Sequence, residues 1–180
     1  DTVAGSPVGS SVDFVTKAAL SNVTADSTTA ALVAEYRAAL GAKLDVVVGT
    51  VSGVFPLGGT PPVERSGETP MGDFAADAVR SKYGTDFAIL NGGGIRDQLP
   101  GSGYQPVNPM LRRPLPGSTG PYDVTLGDVL SVLPFGNTAA TTTMTGATLW
   151  QALENGVSGW PTAGRFPQIS GLRFTFDPTL

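Results

Sequence analysis

Turns and loops must make up much of this chain, because residues that break regular structure recur along its whole length. Its 180 residues include 24 glycines and 15 prolines, and they lack the Gly-x-y period of collagen. Apolar residues make up 41% of the sequence and charged residues only 14%, which is typical of a folded chain. We therefore expect one domain, or one domain and a linker, with much of its function on turns.

The complete absence of histidine and cysteine excludes several kinds of active site. A Ser-His-Asp triad, a histidine general base or a His-ligated zinc site cannot be built from this chain alone. Thiolate nucleophiles, iron–sulfur clusters and disulfides are excluded as well. Since the aspartates do not follow the ligand spacing of a calcium loop, we expect no metal or other cofactor in this chain.

The charge of the chain limits its partners. The formal net charge is −4 and the 11 lysines and arginines are scattered, which argues against a nucleic-acid-binding face. A small anionic ligand remains possible if two or three arginines converge locally. No apolar run reaches the ~20 residues of a membrane span, and the start of the chain lacks a basic signal segment. We expect a mature or excised piece of a protein.

Four segments combine a capping residue, apolar residues at helical spacing and, in most cases, a glycine or proline stop. Trp150, in the last of these expected helices, is predicted to lie in the core. The helices are expected to begin near Ser27, Thr69, Thr125 and Thr145, and the first three to end at Gly41, Gly84 and Pro134.

Short β-branched or apolar runs predict strands among the helices. Gly49 is expected to break the first of them, and the last has an apolar face that lacks a partner, so we expect further C-terminal sequence to be absent. The mixed order of helices and strands predicts an α/β class, that is, an α+β mixed sheet with flanking helices. The expected strands are residues 44–48, 87–90, 138–144 and 172–176.

The strand at residues 87–90 leads into the sharpest local motif, Asn91-Gly-Gly-Gly-Ile-Arg96. Glycines let the backbone approach a ligand closely, and α/β proteins bind ligands where strands end. Arg96 could clamp an anion with its planar guanidinium. The motif lacks the spacing of a dinucleotide-binding loop or a P-loop, and a tight turn with a surface arginine is the alternative.

Two other positions could also bind a ligand. Phe135 follows a Pro-terminated helix, where its ring could stack on a base, or it could plug the core below that helix. Arg65 precedes a helix N-terminus, which suits anions, and an exposed ion pair is the alternative. Arg112 and Arg113 lie in a loop rich in proline and glycine and are expected to be solvated.

Four motifs occur together over about residues 64–176. They are Glu68-Thr-Pro-Met-Gly-Asp73, Asn91-Gly-Gly-Gly-Ile-Arg96, Leu133-Pro-Phe-Gly-Asn137 and Gly164-Arg-Phe-Pro-Gln-Ile-Ser-Gly-Leu-Arg173. In order and spacing they resemble the C-terminal, substrate-binding domain of the 5′-nucleotidase and UDP-sugar hydrolase family. Each motif alone would be a weak signal, whereas four in register are a specific one.

The resemblance implies how the chain is divided. Residues 1–25 would be the tail of a preceding domain or a linker, residues 26–42 an inter-domain linker helix, and residues 43–180 a C-terminally incomplete substrate-binding domain. Family members carry two divalent metals, such as zinc or manganese, in an N-terminal metallophosphoesterase domain that also holds the catalytic Asn-His pair. A chain without histidine cannot contain that site, so this chain alone should hydrolyse nothing.

The resemblance also implies roles for single residues. Asn91 and Arg96 match positions that contact the nucleotide, and Arg65 matches an upstream arginine of the same pocket. Phe135 matches one of two rings that sandwich the base, and the family motif that accompanies the second ring does not follow Leu180. The predicted substrate-binding residues are Arg65, Asn91, Gly93, Gly94, Arg96, Phe135 and Asn137.

These features predict the nucleotide-binding fragment of a secreted, periplasmic or cell-surface enzyme that hydrolyses nucleoside phosphates to nucleoside and phosphate. Its expected partners are a nucleotide or nucleoside and the N-terminal metallophosphoesterase domain, with no nucleic acid and no membrane span. One alternative is a non-catalytic, secreted nucleotide- or glycan-binding module. Another is a structural domain in which the glycines and Phe135 only pack.

Overall fold

The computed structural model of the chain describes residues 2–3, 6–7, 23–58 and 63–179. Most of the expected tail, residues 1–25, therefore lies outside the described residues. The chain divides into two units, residues 1–37 and residues 38–180. In the first unit, strands β1 (Thr2–Val3) and β2 (Ser6–Pro7) pair in antiparallel fashion.

Helix α1 (Ser27–Leu44) continues past the glycine that was expected to end it. The side chain of Asp26 accepts the N–H of Thr29 at 2.8 Å and so caps its start. Gly41 is buried inside the helix, and a Cβ at this position would collide with the side chain of Val107. The expected stop is therefore wrong, because this glycine permits a close approach instead of ending the helix.

Strand β3 (Val47–Val51) pairs in antiparallel fashion with β5 (Tyr122–Thr125). The strand begins three residues later than the predicted one and passes through Gly49 rather than breaking there. The register shifts between Val47 and Gly49. A glycine within a strand commonly marks such a bulge. The prediction treated Gly49 as the end of the strand and therefore placed the strand too early in the sequence.

Strand β4 (Ala88–Asn91) confirms the strand expected before the glycine motif, and it pairs in antiparallel fashion with β6 (Pro167–Ser170). The sequence did not predict β6, because a proline and two polar residues hide its pattern. Residues 138–144 and 172–176, both expected to be strands, have no regular secondary structure. The alternating burial of the second segment comes from aromatic packing, with the Phe176 and Phe166 rings 5.9 Å apart.

The remaining helices begin at the predicted caps. The hydroxyl of Thr69 accepts the N–H of Gly72 at 3.0 Å, and Thr125 and Asp128 form a complete capping box. Thr145 accepts the N–H of Thr148 at 3.2 Å. The three helices are α2 (Pro70–Tyr83), α3 (Leu126–Val132) and α4 (Gly146–Val157).

Helix α4 does not bury the aromatic residue that was expected to lie in the core. Trp150 is 67% exposed. The buried residue of the helix is Gly156, where an added Cβ would lie only 3.1 Å from Pro167. The helix thus packs against β6 through Gly156, which has no side chain. Trp150 is left exposed to solvent.

The apolar core of the second unit joins α2, α3, β5 and the segment after the glycine turn. Phe55 and Leu99 exchange backbone hydrogen bonds of 2.8 and 3.1 Å across this core. Helices flank small sheets, so the predicted α/β class is confirmed. No helix in the described ranges is long and apolar enough to cross a membrane. The buried core residues are Met71, Ala75, Ile95, Leu99, Val124 and Val132.

Candidate functional site

The turn that follows β4 is packed backbone against backbone. Residues 92–94 form a single 3-10 turn. The N–H of Gly92 donates to the carbonyl of Phe166 at 2.7 Å, and the N–H of Gly93 donates to the carbonyl of Gly164 at 2.8 Å. A Cβ on Gly93 would lie 2.7 Å from the Cα of Gly164. Glycine is therefore required here to hold the turn against the segment that leads into β6.

An open cleft of about 970 Å³ lies beside this turn. Its walls include β4 and the loop after α3, which are far apart in the sequence. The volume is within the range of small-molecule pockets, ~300–1,000 Å³. Four of the seven predicted site residues line the cleft, namely Asn91, Gly94, Phe135 and Asn137.

The ring of Phe135 is presented to solvent. The residue is 60% exposed, so the alternative in which it plugs the core is wrong. Directly after it, Gly136 has a φ of 62°, a left-handed conformation that most other residues avoid. The chain thus turns sharply behind the ring, and one face of the loop carries an aromatic surface into the cleft.

Arg96 lies next to this ring, although it does not itself line the cleft. Its guanidinium carbon is 5.9 Å from the centre of the Phe135 ring, a cation–π distance. Its Nη1 donates to the carbonyl of Gly93 at 3.3 Å. Within the described part of the chain, no carboxylate pairs with this guanidinium. The positive charge is therefore free to attract an anion.

Arg65 is close to the turn but outside the cleft. Its Nη1 donates to the carbonyl of Thr162 at 3.4 Å, and its Nε is 3.9 Å from Oε1 of Glu64. Glu64 is buried, and its other oxygen has no hydrogen-bond partner among the described residues. The structure thus does not bring Arg65 together with the four cleft-lining residues, and its pairing with a buried carboxylate differs from the exposed ion pair considered above.

Both arginines of the long loop pair with aspartates, and the expectation that they are solvated is wrong for Arg113, whose side chain is only 16% exposed. Arg112 pairs with Asp123 and keeps a half-exposed side chain. Arg113 donates to both oxygens of the fully buried Asp128, at 2.6 and 2.7 Å. Burial would raise the pKa of Asp128, but the hydrogen bonds from Arg113 and Thr125 outweigh it and hold this pKa below its usual value.

Gln168 is a buried polar residue that sequence reasoning missed. Its amide nitrogen donates to the carbonyls of Glu64 at 3.0 Å and Gly67 at 2.7 Å, and its oxygen accepts the N–H of Thr69 at 3.1 Å. The side chain therefore fastens β6 to the segment that leads into α2. Gln168 lies in the fourth motif, between Phe166 and Ser170. Its position in that motif was the sequence signal that could have identified it.

Comparison with known proteins decides the family. Residues 47–180 match the family described as the 5′-nucleotidase C-terminal domain. The chain belongs to this family. The 5′-nucleotidase precursor of Thermus thermophilus, known from a crystal structure, has a TM-score of 0.62 and 32% identity. The match covers 84% of this chain and 26% of that one.

Two curated relatives of this 5′-nucleotidase domain are bacterial proteins. The trifunctional nucleotide phosphoesterase protein YfkN of Bacillus subtilis is 37% identical over 117 residues, covering 62% of this chain and 7% of the relative. The cell wall protein Lmo0130 of Listeria monocytogenes is 35% identical over 117 residues, covering 62% and 13%. The chain thus spans only a small fraction of these relatives.

The metals that the family resemblance implies do not fit the described part of this 5′-nucleotidase domain. Across residues 23–58 and 63–179, no three acidic side chains converge in a group that could hold an ion. Two of the buried acidic residues, Asp97 and Asp128, accept protein hydrogen bonds on both carboxylate oxygens.

Proposed function

We propose that this chain is the nucleotide-binding part of a 5′-nucleotidase-type phosphoesterase and that it positions the base and ribose of a nucleoside phosphate. The observation that carries the proposal is the exposed ring of Phe135 with the guanidinium of Arg96 5.9 Å away, which pairs with no carboxylate among the described residues. An aromatic face beside a free cation matches a ligand that has both a planar base and a phosphate.

Each group would recognise a different part of the ligand. The ring of Phe135 stacks on the base, an interaction worth ~1–3 kcal/mol. The amides of Asn91 and Asn137, which line the same cleft, can donate to and accept from ribose hydroxyls or base edges. Gly94 leaves room for the ligand beside the turn, and Arg96 attracts the phosphate.

Arg65 and Gly93 would act at the border of this site. Arg65 lies outside the cleft, so we assign it to a part of the nucleotide that extends beyond the cleft, such as the phosphate. Gly93 keeps the turn in place through its contact with Gly164. Both roles are weaker contributions than stacking, because neither residue faces the base.

Catalysis would require a second domain. We propose that an N-terminal metallophosphoesterase domain with two divalent metals, such as zinc or manganese, hydrolyses the phosphate ester while this chain holds the nucleoside end. The contribution of this chain is then orientation, which is effective only when both domains engage one substrate. The description of Lmo0130 as a cell wall protein supports a secreted, periplasmic or cell-surface location.

The decisive variant is Phe135→Ala, with Trp150→Ala as a matched control. Both aromatic side chains are largely exposed, at 60% and 67%, so neither change should alter the melting temperature by more than a few degrees. We expect Phe135→Ala to weaken AMP binding in calorimetry by about 5- to 150-fold, since stacking is worth ~1–3 kcal/mol. Trp150→Ala should bind AMP like the wild type.

The opposite pattern would support the packing alternative. If Phe135→Ala loses much stability while its affinity for AMP stays the same, the ring stabilises the fold and does not bind a base. If both variants weaken AMP binding equally, the cleft is not the binding site. Calorimetric titrations of the wild type with adenosine, AMP and inorganic phosphate separate the contribution of stacking to affinity from that of charge attraction.

A further inference from the structure

The carboxylate of Asp97, directly after the proposed phosphate-binding arginine, is a buried hydrogen-bonding centre. It is 7% exposed. Its Oδ1 accepts the N–H and the hydroxyl of Ser102, at 3.0 and 2.7 Å, and the N–H of Gln98 at 2.9 Å. Its Oδ2 accepts the N–H of Gly103 and the hydroxyl of Ser131, both at 2.7 Å. Although burial would raise the pKa of Asp97, the hydrogen bonds from Ser131, Gly103 and Ser102 hold it below its usual value.

The bond from Ser131 differs from the others in what it connects. Gln98, Ser102 and Gly103 belong to the loop that follows Asp97, so their bonds are local. Ser131 belongs to the last turn of α3, 34 residues further along the chain. Its hydroxyl therefore fixes the end of that helix to the segment that carries the arginine.

A second bond connects the same two segments. The backbone N–H of Arg96 donates to the carbonyl of Val132, the residue after Ser131, at 2.8 Å. Phe135 follows three residues after this carbonyl. The distance between the guanidinium of Arg96 and the ring of Phe135 thus depends on how the end of α3 is held against residues 96–97.

We propose that Asp97 and Ser131 are positioning residues that set the arrangement of Arg96 and Phe135 for one ligand. This inference rests on the function proposed above, because the arrangement matters for binding only if both side chains contact the same nucleotide. Neither residue needs to touch the ligand. Displacements of about 1 Å in a binding arrangement are enough to cause large losses of function.

The test compares two serine variants that each remove one 2.7 Å hydrogen bond to the same carboxylate. Ser131→Ala removes the bond to α3, and Ser102→Ala removes a local bond. We expect Ser131→Ala to weaken AMP binding about tenfold or more, because a displacement of about 1 Å between Arg96 and Phe135 is enough for a loss of that order. Ser102→Ala should stay within about twofold of the wild type, and Ser131→Thr, which keeps the hydroxyl, should restore affinity.

Amide hydrogen exchange provides a readout that does not depend on a ligand. Loss of the Ser131 bond should speed the exchange of the Arg96 amide more than exchange in α2, whereas a general loss of stability would speed both. Equal effects of Ser131→Ala and Ser102→Ala on AMP affinity and on Arg96 exchange would overturn the positioning role. A wild type that binds neither AMP nor adenosine would instead overturn the proposed function, so the two failures are distinguishable.

Discussion

Two adjacent arginines of the long loop show how burial determines the contribution of a single ion pair to the stability of the fold. Arg112 faces Asp123 with about half of its side chain in water, whereas only 16% of the Arg113 side chain is exposed and its partner Asp128 is fully buried. Asp128 also accepts the N–H groups of Gly101 and Thr125. The second pair therefore joins the loop, β5 and the start of α3, while the arginine of the first pair is half exposed.

Replacing each arginine by methionine should separate these two situations. Arg113→Met leaves a buried carboxylate without its counter-ion, which we expect to lower the free energy of unfolding by about 3–5 kcal/mol. Arg112→Met is the matched control and should lower it by less, because the Arg112 side chain is half exposed and Asp123 keeps the backbone N–H of residue 112 as a hydrogen-bond donor. Urea unfolding of both variants measures the difference. Equal losses would show that burial of Asp128 does not govern the pair.

Gln168 makes a similar point for an uncharged side chain. Its amide satisfies the carbonyls of Glu64 and Gly67 and the N–H of Thr69 inside the protein. We expect Gln168→Leu to lower the free energy of unfolding by at least about 2 kcal/mol, because buried groups left without partners cost ~1–3 kcal/mol each. The exposed Gln151→Leu on α4 is the control. Equal melting temperatures of the two variants would contradict the assigned role.

Elements whose ends are set by neighbouring residues could be predicted from the sequence, whereas elements that depend on distant residues could not. The caps at Thr69, Thr125 and Thr145 each depend on residues within one helical turn, and all three are confirmed. Strand β6 was missed and residues 172–176 were assigned wrongly. A strand exists only through its partner, and the partner of β6 is β4, about 79 residues earlier in register.

The start of α2 gathers acidic groups that should make stability depend on pH. Burial, with the nearby charges of Glu68 and Asp77, raises the pKa of Asp73 from its ordinary 3.8 to about 6. Because this pKa is raised in the folded state, the carboxyl of Asp73 favours folding while it is protonated. That contribution is present at low pH and is lost as the pH rises from about 4 through about 6.

Asp73→Asn should remove this dependence. We expect the variant and the wild type to melt at similar temperatures near pH 4, and the variant to become the more stable one as the pH rises towards 7. Thermal unfolding at a series of pH values measures the difference curve. A difference that stays flat, or that grows as the pH falls, would mean that Asp73 does not titrate in this way.

For the whole molecule, the candidate site is assembled from segments far apart in sequence. The resemblance to the family supplied its residues, and the structure brings Asn91, Gly94, Phe135 and Asn137 into one cleft. The place of Arg65 outside that cleft and the hydrogen bond from Ser131 to Asp97 could not have been predicted. Like the contact between Gly93 and Gly164, about 71 residues apart, they join segments that are distant in the sequence, and no local pattern reports such contacts.

Nucleotide binding at that cleft is the property on which the proposed function depends. The most direct measurement is an NMR titration of the wild-type chain with AMP, with inorganic phosphate as the reference ligand. We predict saturable shifts with AMP at residues 91–96 and 133–137, and much smaller ones with phosphate. Shifts that are absent, or that phosphate reproduces in full, would contradict the proposal that Phe135 and Arg96 together bind a nucleotide.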